Sequence, residues 1–271
     1  MSPESGGRPR RRAPGDQRRA RRRPNRRGET EPTTGRRQRE LESRQVLDGN
    51  DGRHRPRRER NFELPEAVVG ELRSVADSKR SAMLERRLRA AIEAYERDRY
   101  RDALQSIKPV VEAAPESAAA REFYGLVLYR LGRWRQAERA LRTVHEMTGS
   151  FDQFPVIADC ERALGNPERV RALWGELRQA GVDKDVLVEG RLVMAGALAD
   201  TGELEEAIAL LEPAGRVKRR NADLALLREW YALADLYEEA GDLPRARELF
   251  QRVASQAPEL LDAPERLRAI R

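Results

Sequence analysis

The sequence predicts an all-α protein built from repeated helix pairs, and three features carry that expectation. Apolar residues recur at helical spacing: Trp230, Leu233, Ala234 and Tyr237 on one stretch, then Ala246, Phe250 and Val253 on the next. A turn residue returns at Asp98, Gly132, Gly165, Gly202 and Gly241, at intervals of 34, 33, 37 and 39 residues. Small residues sit where the two helices of each pair must touch. They are Ala91, Gly125, Ala158, Ala195 and Ala234 on the first helices, answered by Ala103, Ala137, Val170, Ala207 and Ala246 on the second. Units of this length cannot bury their apolar faces alone, so they stack into one array.

Residues 1–60 stand apart. They hold 20 Arg, no Lys and 9 acidic residues, a net +11, while residues 61–271 carry 33 basic and 37 acidic residues, a net −4. A stretch rich in Arg, Pro and Gly has almost nothing to bury and repels itself, so a disordered basic tail is expected. The next segment, 62–76, carries an apolar stripe of Leu64, Val68, Val69, Leu72, Val75 and Ala76 and is expected to cap the first pair. Asp77 or Ser78 is placed to cap the helix that follows.

The helix pairs are expected at about 84–117, 118–150, 151–187, 188–226 and 227–260, with a short C-terminal cap at 261–271 whose Leu267 and Ile270 cover the last pair. The third pair is the least regular, because Val170 replaces a smaller residue and the polar Asp159 and Arg162 fall on its first helix. The two longer intervals predict extended loops before the fourth and fifth pairs. The second of these holds the basic run Arg216, Lys218, Arg219 and Arg220. Trp134, Trp174 and Trp230 are assigned to the core, where bulk is needed.

No chemistry-bearing constellation appears. Cys160 is the single cysteine, so no internal disulfide forms, and His54 and His145 have no nearby metal-ligand partners. There is no Gly-rich phosphate loop or nucleophile elbow, and adjacent carboxylates such as Glu205–Glu206 point in different directions on a helix. The expectation is a non-enzyme without cofactor or metal. No apolar run reaches the roughly 20 residues of a membrane span, and the Arg-rich start lacks the apolar segment of a secretory signal. A cytoplasmic location is the default.

The unit from Trp230 to Pro258 resembles the tetratricopeptide repeat (TPR), a helix–turn–helix of about 34 residues patterned W-x2-L-G-x2-Y…A-x3-F…P. Ala234 stands where that family prefers Gly. The resemblance spans roughly residues 80–260 and implies a right-handed superhelix whose first helices line a partner-binding groove. By alignment with the family, the groove candidates are Tyr95, Tyr129, Arg130, Arg162, Asp200, Tyr231, Asp235, Glu238 and Glu239, together with Leu88, Ile92 and Glu96. Leu88 and Ile92 occupy positions where some members carry the Lys and Asn of a carboxylate clamp, so that clamp is not supported. The resemblance implies an adaptor that binds a protein or peptide. The alternative is a nucleic-acid-associated protein bound through its Arg-rich tail, since guanidinium–phosphate contacts need little sequence information. Self-association through the repeats is a third reading. The acidic end of the groove, from Asp200 to Glu239, is expected to prefer a basic segment such as the chain's own residues 8–27.

Overall fold

The structure is a computed structural model that describes residues 66–74 and 78–270, and the described residues form twelve α-helices and no strand. The expected tail, residues 1–60, lies outside the described residues, as do Leu64, Val75 and Ala76 of the first stripe and the side chains of Asp77 and Ser78. The helices are α1 (Glu66–Ser74), α2 (Ser78–Glu96), α3 (Tyr100–Ala113), α4 (Ala118–Arg130), α5 (Trp134–Thr148) and α6 (Phe154–Ala163). They continue as α7 (Pro167–Gln179), α8 (Lys184–Asp200), α9 (Leu204–Gly215), α10 (Leu224–Glu239), α11 (Leu243–Gln256) and α12 (Ala263–Ala269). Consecutive helices pack as hairpins α2/α3, α4/α5, α6/α7, α8/α9 and α10/α11; each second helix then meets the next first helix, and α1 and α12 lie against the two ends.

Each hairpin turns the same way for the same reason. Asp98, Gly132, Gly165, Gly202 and Gly241 all have positive φ, between 57° and 85°. The following amide reaches back to a carbonyl of the helix it leaves: Arg99 to Ala94 at 2.8 Å, Arg133 to Leu128 at 2.9 Å, Asn166 to Glu161 at 3.0 Å, and Glu203 to Leu198 and Asp242 to Tyr237 at 2.8 Å. This is the left-handed C-terminal cap that satisfies carbonyls a helix end would otherwise leave open. Glycine adopts it without a Cβ penalty, whereas Asp98 does so as one of the short polar residues that tolerate the region. Asp242 then accepts a hydrogen bond from the Arg245 amide at 3.2 Å and starts α11.

Close contact inside the hairpins rests on the small residues. Ala103, Ala137, Val170, Ala207 and Ala246 are all completely buried, and Ala91, Ala158, Ala195 and Ala234 are buried opposite them. A β-carbon on Gly125 would fall 2.6 Å from Leu141 Cδ2 and 3.5 Å from the Ala140 Cβ, so Gly125 meets those two residues of α5 rather than Ala137. The apolar interior divides along the chain. One cluster runs from Val69 to Val127, a small one joins Leu128, Tyr129, Ala137, Ala140 and Cys160, and the largest runs from Leu141 to Ile270.

Two expectations about bulk and loops need correction. Only Trp230 is fully buried, its indole donating to Ala214 O at 2.9 Å; Trp134 and Trp174 are half-buried at the edges of the clusters. The long interval before the fourth hairpin is not taken up by a loop. Only residues 180–183 separate α7 from α8, and the extra length lengthens α8 instead. The interval before the fifth hairpin does contain a loop, residues 216–223. At the C-terminal end Ile270 is buried and Leu267 packs against the large cluster.

Candidate functional site

The first helices α2, α4, α6, α8 and α10, followed by α12, carry polar or aromatic links from each to the next. Between α2 and α4, the Tyr95 ring lies 5.4 Å from Phe123, and the Arg130 guanidinium sits 4.7 Å from the centre of Tyr100 and 5.6 Å from that of Tyr95. Arg130 also donates to the Tyr100 hydroxyl and to Asp98. Burial, with the neighbouring Asp98, pushes the Tyr100 hydroxyl well above its ordinary pKa, so it stays protonated. Between α4 and α6, Tyr129 Oη donates to Asp159 Oδ2 at 2.6 Å, and Gln153 Nε2 donates to Glu122 at 2.6 Å.

The α6–α8 link is the most enclosed. Arg162 grips Asp200 with two bonds, Nε to Oδ2 at 2.5 Å and Nη2 to Oδ1 at 3.0 Å, and lies 3.8 Å from Asp159. A β-carbon on Gly196 would fall 2.4 Å from Arg162 Nη1, so the guanidinium lies where only glycine leaves room. Between α8 and α10, Arg191 donates to Glu229 at 2.6 Å and Arg228 donates to Glu189 in the opposite sense. Burial raises the Glu229 carboxyl pKa, and the Arg191 cation opposes that shift.

The last link joins α10 to α12. Arg266 Nη2 donates to Asp235 at 2.7 Å and to Glu238 at 2.6 Å, and the guanidinium sits 5.1 Å from the Phe250 ring centre. Tyr231 Oη donates to Asp262 at 2.5 Å, and burial plus that carboxylate pushes its pKa far up.

These links change the meaning of the expected groove residues. Tyr129, Arg162, Tyr231 and Asp235 are only 5%, 6%, 6% and 7% exposed, so their polar groups are spent within the chain. Leu88 is likewise buried in the N-terminal cluster. Asp200 and Glu238 keep part of their surface, Tyr95 is half-buried, and Glu96 and Glu239 are exposed. Within the expected acidic strip Arg266 bonds both Asp235 and Glu238, so one cation offsets one of these two charges, and the exposed Glu239 adds to the charge that remains. Sequence reasoning missed Arg266, Gly196, Arg191, Glu229 and Asp262. One signal was available: Arg162 and Asp200, like Arg191 and Glu229, are opposite charges 38 residues apart, close to one repeat period.

Arg162, Arg191, Arg228 and Arg266 are thus each engaged by carboxylates of a neighbouring helix. Among the described residues no group of three or more His, Cys, Asp or Glu side chains is placed to hold a metal ion. No helix among them is long and apolar enough to cross a membrane.

Comparison with known proteins agrees with this architecture. No curated protein matches the chain. Two segments, residues 88–146 and 230–259, match the tetratricopeptide repeat family. The solved structure of TTC0263, a thermophilic TPR protein of Thermus thermophilus, is similar with a TM-score of 0.55 at 22% identity, covering 69% of this chain and 98% of that one. Residues 88–146 and 230–259 thus carry tetratricopeptide repeats, and the chain shares the helical-repeat fold of that protein across most of its length.

Proposed function

We propose that the chain is a non-catalytic adaptor that holds a protein or peptide partner along its row of first helices. The observation that carries this reading is the run of links from Tyr95 to Arg266, which holds every first helix in register with the next before any partner arrives. A surface ordered in advance loses little entropy on binding, so more of the contact energy appears as affinity. The buried members Tyr129, Arg130, Arg162, Tyr231 and Asp235 position the row. Tyr95, Glu96, Asp200, Glu238 and Glu239, which retain exposure, are the residues that touch the partner. Affinity capture from nuclease-treated lysate tests this with the full chain and with Glu96→Lys combined with Glu239→Lys, both at exposed positions. Proteins retained by the wild type and lost by the variant are the expected result. Equal capture by both chains would remove the row of first helices as the site.

A second reading rests on the Arg-rich residues 1–60, net +11, which suit a polyanion such as RNA or DNA. It predicts that capture depends on nucleic acid and is abolished by nuclease or by moderate salt.

A further inference from the structure

We propose that the loop at residues 216–220, with the cleft beside it, is a docking site for a carboxylate-rich segment of a partner protein, separate from the row of first helices. The loop is the inserted part of the array: the interval from Gly202 to Gly241 is 39 residues, against 34 and 33 for the first two intervals. Insertions in repeat arrays gather on one face, which is often the binding face. This insertion is strongly basic, and Arg216, Lys218, Arg219 and Arg220 are all exposed, with Val217 exposed among them.

The loop is held in place. Gln256, from α11 of the next hairpin, accepts from the Ala222 amide at 2.9 Å and donates to Arg219 O at 3.0 Å. One amide side chain thus ties down the C-terminal end of the basic run, while the Arg216 and Val217 amides bond back to Glu212 O and Ala214 O of α9 at the other end. Arg216 pairs with Glu212 at 2.7 Å and Arg219 with Asp223 at 3.6 Å. Among the described residues, Lys218 and Arg220 have no carboxylate within ion-pair distance. Keeping like charges together without counter-charge costs free energy that an anionic ligand would recover. The rest of residues 61–271 is net negative, so this is a positive island on an acidic body.

Beside the loop a cleft of about 190 Å³ opens between α9, α10 and α11. The buried Leu233, Tyr237 and Leu249 line it, with Arg216, Arg245 and Arg252 and the carboxylates of Glu212 and Glu248 around them. Small-molecule and cofactor sites usually need about 300–1,000 Å³, so the cleft suits a single side chain of a larger partner. These arginines are already drawn towards Glu212, Asp242 and Glu248. Those interleaved carboxylates repel any unbroken run of negative charge, and a nucleic-acid strand carries one at every nucleotide. A peptide spaces its residues at about 3.3 Å and can set an apolar side chain in the cleft while its carboxylates reach Lys218 and Arg220.

The test uses the full chain and a short Asp/Glu peptide with a photo-reactive benzoylphenylalanine at its centre. Cross-links should map to residues 216–220 or to Tyr237 and Leu249. Lys218→Ala with Arg220→Ala should weaken binding roughly fivefold, as expected for two exposed charge contacts. Gln256→Ala keeps every charge and should also weaken binding, because it releases the loop; circular dichroism checks that each variant remains folded. Cross-links confined to residues 1–60, unchanged affinity in either variant, or a preference of this loop for duplex DNA over the peptide would overturn the proposal. The Glu96→Lys and Glu239→Lys variant should leave these cross-links in place, so the two proposed sites fail independently.

Discussion

Arg162 is a charged side chain that the array has enclosed, and Gly196 is the residue that makes this tolerable. The guanidinium occupies the space a β-carbon at position 196 would fill, while Asp200 and Asp159 supply the counter-charge. A buried ion pair of this kind is poor evidence for net stability, because desolvation offsets most of the attraction, but breaking it strands a charge. Gly196→Ala should therefore cost about 1–3 kcal/mol through overpacking. Arg162→Met should cost more, about 3–5 kcal/mol, because Asp159 is left buried without its cation. The two changes touch the same atoms, so the double variant should fall short of their sum. Urea denaturation of the three variants measures this, and a wild-type midpoint for Gly196→Ala would place the guanidinium elsewhere. Gly125→Leu belongs to the same class: its side chain would enter the space of Leu141, and a lowered melting temperature by circular dichroism is the expected result.

Helix α10 begins at Asp223, whose carboxylate accepts a hydrogen bond from the Leu226 amide at 2.9 Å. That backbone bond, aided by Lys184 and Arg219, lowers its pKa below the ordinary carboxylate value despite some desolvation. A lowered folded-state pKa means the stabilisation is present above the unfolded pKa, near 3.9, and is lost as pH falls through the lowered value. Asp223→Ala should cost about 1 kcal/mol near neutral pH, and its gap from wild type in urea midpoint should close as acidification protonates the Asp223 carboxylate. A gap that persists in acid would show that the carboxylate is not the cap. The elements themselves were legible in the sequence because their determinants are local. A turn needing positive φ selects Gly132, Gly165, Gly202 and Gly241, and two helices in contact select Ala103, Ala137, Ala207 and Ala246. The seam between hairpins was much less legible. The cation that serves Asp235 lies 31 residues away, on a terminal helix outside the repeat pattern. Nothing in the period of the sequence distinguishes a residue lining a groove from one buried between two first helices.

Stability in such an array is expected to be distributed by neighbourhood, because each hairpin touches mainly the hairpins beside it. The division of the interior gives this a concrete form. Buried residues from Val69 to Val127 form one cluster, those from Leu141 to Ile270 form another, and only the small group around Leu128, Tyr129 and Cys160 lies between. The middle group is joined to the C-terminal cluster through the bond from Tyr129 to Asp159 and the grip of Arg162 on Asp200. A large-to-small change deep in the N-terminal cluster should therefore remain local. Ile107 is completely buried on α3, and Ile107→Ala should remove about 2–5 kcal/mol from the packing around it. Native-state hydrogen exchange reads where that loss appears. Amides of α2, α3 and α4 should exchange faster, while those of α8 to α11 keep wild-type protection. Breaking the seam as well, with Tyr129→Phe, should confine the damage further, since one polar tie to α6 is then gone. A uniform loss of protection from α2 through α11 in the Ile107→Ala chain would mean instead that the five hairpins unfold as one cooperative body.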